Sequence, residues 1–171
     1  MAFLKSGEPV VVDSHVLAEA ARQERDGELG PQLEFVNALI ARCPRVVLSP
    51  VQESSDQARG ELVHALRRRG FRFPELSALI ARLGDAKLTR LRQSEVTEFP
   101  ERARVTFRGG GGHEDVTDDL HLYEAAVAKG TVVVTLDDHL LSRAADLLKE
   151  TGVRTLEPSA VLEAWAAEEI R

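Results

Sequence analysis

Apolar positions along this chain recur in two rhythms, short β-branched runs and longer stretches spaced three and four residues apart. Glu8 to Val12 ends in three consecutive valines and stops at Asp13, a run suited to an interior strand. Residues 15–25 then bring Val16, Leu17 and Ala20 or Ala21 onto one side of a predicted helix. A turn at Gly27–Gly30 leads to Pro31, a residue that suits a helix's first turn. Leu33, Val36, Leu39 and Ile40 return at helical spacing, and Pro44 limits that helix near Arg42. Val46–Leu48 reads as a second strand, closed by Ser49–Pro50. A polar stretch follows. The next predicted helix covers at least Gln57–Arg69 on the stripe Leu62, Ala65 and Leu66, and Gly70 stops it.

Pro74 opens another predicted helix through Leu79, Ile80 and Leu83, ended by Gly84, and the stretch to about Arg92 reads as a further short helix. Residues 94–101 look like a connection and Arg102–Phe107 alternates as a short strand. The four glycines 109–112 form a turn, since no strand–GxxxxGK[ST]–helix context makes them a phosphate loop. A helix over 118–128 precedes Gly130, and Thr131–Thr135 is the clearest strand of all. A helix over about Leu140–Glu150, a strand at Val153–Thr155 and a final helix at Ala160–Glu169, entered through Pro158, complete the pattern. Trp165 on that last helix reads as packing. Helices separating short apolar strands predict one three-layer α/β/α domain around a mostly parallel sheet, and no repeat or linker divides residues 1–171.

Composition narrows the possibilities. With 171 residues and 43% apolar content the chain can bury a core without disulfides or structural zinc. The single cysteine, Cys43, can form neither an internal disulfide nor a cysteine metal cluster; it reads as a small buried thiol. The opening MAFLKSGEPV is too short an apolar stretch for a signal peptide, and no run is long enough to cross a membrane. A cytoplasmic protein is the expectation. The net charge of −6 argues against binding nucleic acid through overall charge, but residues 59–108 carry 12 basic and 6 acidic side chains.

Sites in open parallel sheets form beyond the carboxyl ends of strands, so the acids at those ends carry the chemical interest. Asp13 directly follows the three valines. Asp137 comes two residues after Thr131–Thr135, and Asp118 and Asp119 open the helix before that strand. Each can also serve locally, as a helix cap, a first-turn acid or, with Asp138, a turn residue. If they converge, their mutual repulsion calls for a counter-charge, and Mg²⁺ or Mn²⁺ favours carboxylate oxygens.

These segments resemble a known family. VVDSHVL resembles the strand-plus-acid opening of PIN domains, small metal-dependent ribonucleases that include toxin nucleases of toxin–antitoxin pairs. DDLHLYEAAVAKGTVVVTLDDHLL resembles the family's acid–helix–strand–Thr-x-Asp block, and GVRTLEP with the helix after it resembles one branch's ending. The likeness covers about 8–165. It implies Asp13 as the first metal-binding acid, Asp119 as the third, Asp137 as the last, and Asp118 as a neighbouring acid of one branch. Ser14 and His15 depart from the usual Thr and Asn. The Ser14 hydroxyl can still hold Asp13 or a metal-bound water, whereas bulkier His15 suits a supporting or surface position better than a ligand's.

The second acid falls in LSPVQESSDQARGELVHALRRRGF, which resembles the family's strand–Ser-Pro–helix unit. Counting back from ALRRRGF selects Glu61, the preferred choice. Counting forward from Ser49 lands near Ser55 and Asp56, with Glu53 slightly earlier. The resemblance thus implies Asp13, Glu61, Asp119 and Asp137 around one or two Mg²⁺ or Mn²⁺ ions, cleavage of single-stranded RNA, and an antitoxin protein or a second copy of the chain as partners. Thr135 can orient a ligand. Arg67, Arg68, Arg69, Arg72, Arg90, Arg92, Arg102, Arg104 and Arg108 supply phosphate-binding walls. Two rivals stand beside this reading. One is a PIN-like binding or regulatory protein without nuclease activity. The other is a phosphatase or phosphotransfer enzyme with Asp13 as nucleophile, which lacks a second acid at position 15 and a well-placed lysine after Thr131–Thr135.

Overall fold

The three valines of β1 (Val10–Val12) are fully buried and alternate between two cores, as strand pleating requires. Val10 and Val12 enter one core and Val11 the other. The computed structural model describes residues 8–42, 46–49, 52, 61–72, 88–96, 99, 120–129 and 131–169. Within them lie β2 (Val46–Leu48), β3 (Leu88–Arg90), β4 (Val133–Val134) and β5 (Thr155–Leu156), all parallel, in the order β3-β2-β1-β4-β5. The helices are α1 (Ser14–Asp26), α2 (Pro31–Arg42), α3 (Glu61–Arg68), α4 (Leu120–Lys129), α5 (Asp138–Ser142), α6 (Ala144–Thr151) and α7 (Pro158–Glu169).

Helices α1, α2, α3 and α7 cover the face bearing Val10 and Val12, through Val16, Leu17, Phe35, Leu66, Val161 and Trp165 among others. The α4, α5 and α6 side chains Leu122, Tyr123, Leu140 and Leu147 cover the Val11 face with Val47 and Val133. The three-layer α/β/α architecture expected from the alternation of strands and helices is the one observed. Trp165 packs as expected, stacked on Phe35 at 6.0 Å between ring centroids.

Two elements differ from the sequence pattern. Leu88–Arg90, expected within a short helix, is a strand paired with β2 in the register Val46↔Leu88 to Leu48↔Arg90. Its short LTR sequence lacks the apolar run that marks β1, and pairing with a distant strand decides its conformation. The single helix expected over Leu140–Glu150 is two. Asp137 caps α5, and at Arg143 (φ −107, ψ 12) the backbone leaves helical geometry before α6 begins. The expected helix from Pro74, the strand Arg102–Phe107, the glycines 109–112 and Cys43 lie outside the described residues.

Candidate functional site

The chain runs from β1 outward to β2 and β3 with α1–α3 on one face. It then returns to β4 and β5 with α4–α6 on the other. Strand order therefore reverses between β1 and β4, the place beyond whose carboxyl ends open parallel sheets bind ligands. Asp13 occupies that position, nearly fully buried, with its N–H donating to Val134 O at 2.9 Å. Its Oδ1 accepts the His15 N–H at 3.0 Å, capping α1, and its Oδ2 accepts the Thr135 hydroxyl at 2.7 Å. Thr135 Oγ1 also accepts the Asp137 N–H at 3.0 Å. Asp137 Oδ1 caps α5 by accepting the His139 and Leu140 N–H groups at 2.7 and 3.3 Å. Both acids thus perform the ordinary capping task, and Thr135 ties the two strand ends together.

Thr135→Val keeps the side chain's shape while removing the donor to Asp13 and the acceptor for Asp137 N–H. A loss of about 1–3 kcal/mol is expected in urea unfolding. Because the hydroxyl favours ionised Asp13, its removal raises that carboxyl's folded pKa. The loss should therefore be larger at pH 8 than at pH 5.

On the other side of β1, Gln52 joins three chain segments. Its Nε2 donates to Val12 O at 2.7 Å and to Ser14 Oγ at 3.1 Å. Its Oε1 accepts Ser49 N–H at 3.0 Å, and its own N–H donates to Ser49 Oγ at 3.2 Å. Ser14 Oγ donates onward to Glu61 Oε2 at 3.4 Å. Ser49 Oγ meets His121 Nδ1 at 2.5 Å, and His121 Nε2 lies 3.2 Å from the same Glu61 oxygen. The contacts close a ring through Gln52, Ser14, Glu61, His121 and Ser49. Glu61 begins α3, while His121 lies on α4 across the sheet.

Burial pushes the Asp13 carboxyl above the usual range, against the Thr135 and His15 hydrogen bonds, and the nearby Glu61 charge pushes it the same way. Burial also opposes ionisation of Glu61, but His121, the His15 charge and the Ser14 hydroxyl outweigh it and hold Glu61 low. The pair is therefore one acid stabilised as an anion beside one that lacks a sufficient counter-charge.

Of the acids read from sequence, Glu61 bonds to the Ser14 hydroxyl beside Asp13 and its charge acts on the Asp13 carboxyl, and the Asp137 backbone lies within two hydrogen bonds of that carboxylate. Asp118, Asp119, Glu53 and Asp56 lie outside the described residues. Asp119 directly precedes α4, on which His121 enters the ring. Among the described residues no three Asp, Glu, His or Cys groups are gathered closely enough to hold an ion. The donors at hand are carboxylate and hydroxyl oxygens, which suit a hard divalent ion, and both Asp13 oxygens keep lone pairs beyond their single hydrogen bonds. This donor chemistry suits Mg²⁺ or Mn²⁺.

Gln52, Ser49 and His121 were not legible as site residues. Gln52 sits in a polar stretch without periodicity, and His121 lies within an apolar helical pattern. The signal available was a histidine two residues beyond Asp119 on a helix otherwise buried through Ala126. The Ser49–His121–Glu61 chain has the connectivity of a nucleophile–base–acid relay. Ser49 is only 1% exposed and its Oγ already holds the Gln52 N–H, so it is a structural hydroxyl that no substrate reaches.

The arginines divide. Arg90 ends β3 level with Leu48, and exposed Arg92 follows it, both at the carboxyl-end rim. Arg67 and Arg68 stand in the last turn of α3, about 10 Å along the helix from Glu61. Arg69 is paired with Glu19 at 3.0 Å. Arg102, Arg104 and Arg108 lie outside the described residues. No protein-family model, curated protein or solved structure matches this chain.

Proposed function

We propose that this protein is a divalent-metal-dependent ribonuclease of the PIN type, acting on single-stranded RNA from the crevice between β1 and β4. The observation that carries this reading is Glu61 bound to the Ser14 hydroxyl, next in sequence to Asp13 at the strand-order reversal, with the Asp137 backbone fastened to the same threonine as Asp13. Asp13, Glu61, Asp137 and, from the sequence, Asp119 and its neighbour Asp118 would hold Mg²⁺ or Mn²⁺. Such an ion supplies a water of lowered pKa and neutralises phosphodiester oxygens. Thr135 orients Asp13, and the Ser14 hydroxyl orients Glu61. Exposed Arg92, just beyond β3, gives the rim positive charge, which holds a polyanion without reading its sequence. The PIN likeness adds a toxin role with an antitoxin protein or a second copy of the chain as partner, and the composition adds a cytoplasmic location. Among the described residues no helix is long and apolar enough to cross a membrane.

One observation favours the second reading, an RNA- or protein-binding PIN-like domain without cleavage: His121 already gives Glu61 a partner. Incubating the purified chain with single-stranded RNA and Mn²⁺ separates the two. Cleavage that EDTA abolishes and Glu61→Gln removes is the expected result. RNA retention without cleavage at high protein concentration would support the second reading and overturn the first.

A further inference from the structure

We propose that His121 is a positioning residue for the second acid, anchored to Ser49 through Nδ1 and set with Nε2 3.2 Å from Glu61, so that the Glu61 carboxylate is held at Ser14, the neighbour of Asp13, for a divalent cation. This rests on the reading of Asp13 and Glu61 as a cation-binding pair. The imidazole is 7% exposed, and its Nδ1 is fixed by the 2.5 Å contact with Ser49. Its Nε2 is buried and, although 3.2 Å from Glu61 Oε2, has no aligned hydrogen-bond partner.

Proton placement follows from the contacts. A bare lone pair on Nε2 only 3.2 Å from a carboxylate oxygen would be repulsive even off line, so Nε2 carries a hydrogen whether the ring is neutral or charged. In the neutral ring Nδ1 is then the acceptor. Ser49 can supply that proton, because its own lone pair takes the Gln52 N–H. A nitrogen bearing a hydrogen is a donor and not a metal ligand. His121 therefore acts through Glu61, and Ser49 with Gln52 sets the ring's orientation. Partners that orient a carboxylate ligand in this way typically matter about 10–100-fold in metal affinity.

Two substitutions divide the imidazole's functions. In His121→Gln the amide nitrogen reaches the Nε2 position and keeps an N–H beside Glu61 while losing Ser49. In His121→Asn the shorter amide reaches the Nδ1 position, keeping Ser49 while leaving no N–H beside Glu61. Mn²⁺ affinity is read by electron paramagnetic resonance of the free ion, alongside thermal unfolding of the metal-free proteins. We expect His121→Gln to stay within about threefold of the parent and His121→Asn to weaken Mn²⁺ binding about 10–100-fold, without a matching difference in melting temperature. Equal affinities for the two variants, or losses that merely follow their melting temperatures, would overturn the positioning role while leaving the cation pair intact. A parent protein that binds no Mn²⁺ would overturn the cation reading, and this inference with it.

Discussion

Asp13→Asn is expected to abolish metal-dependent RNA cleavage while making the metal-free protein more stable. Asp13 is buried, and both burial and the charge of Glu61 raise its folded pKa. A carboxyl whose pKa is raised on folding contributes stability below its unfolded value and loses that contribution as pH rises through the folded pKa. At neutral pH the ionised group therefore costs stability. Asparagine removes the charge, keeps an oxygen for the His15 N–H, and turns its amide toward Thr135 Oγ1. A gain of roughly 1 kcal/mol is expected, or about 2–4 °C for a chain of this size. Saturating Mn²⁺ should reverse the order. Ion at 100 times its dissociation constant stabilises the parent by about 2.7 kcal/mol, and Asp13→Asn should gain almost none of it. Thermal unfolding with and without Mn²⁺ checks both halves. A melting temperature that Mn²⁺ raises equally in both proteins would place its binding site elsewhere.

Gln52→Ala is expected to give the largest stability loss of any substitution near the site. Gln52 is 1% exposed and satisfies Val12 O, Ser14 Oγ and Ser49 N–H through its side chain alone. Removing it leaves buried polar groups at the ends of both β1 and β2, each worth about 1–3 kcal/mol when unpaired. A total of about 3–5 kcal/mol, or roughly 10 °C in melting temperature, is expected. Calorimetric unfolding measures this directly. A loss below about 1 kcal/mol would show that the ring does not hold the two strand ends.

The strand ends were readable because two independent cues coincide there. The valine triplet before Asp13 and the Thr131–Thr135 run before Asp137 mark interior strands by composition alone, and acids directly after such strands face a crevice. The switch point itself needed the strand order, which neither segment states. Glu61 was reachable by spacing from the arginine-rich helix end, although the same stretch offered Glu53 and Asp56. Gln52 was not reachable, since its importance comes from touching Val12, Ser14 and Ser49, which meet only after β1 and β2 pair. Leu88–Arg90 illustrates the same limit, because its helix-or-strand choice is made by the neighbouring strand. The break at Arg143 was hidden for another reason: Leu140 and Leu147 remain in step across it, so periodicity registers one helix where there are two. His121 was visible only as one more member of a buried helix, and its contact with Glu61 spans the sheet.

Asp13 and Glu61 are proposed to share a divalent cation at the carboxyl end of β1, and crystals grown or soaked with Mn²⁺, measured for anomalous scattering at the manganese edge, can locate it. A peak is expected within ligand distance of carboxylate oxygens from both Asp13 and Glu61, with the Asp119 carboxylate joining it. Manganese bound only elsewhere on the molecule, or none beside these two acids at millimolar Mn²⁺, would contradict it.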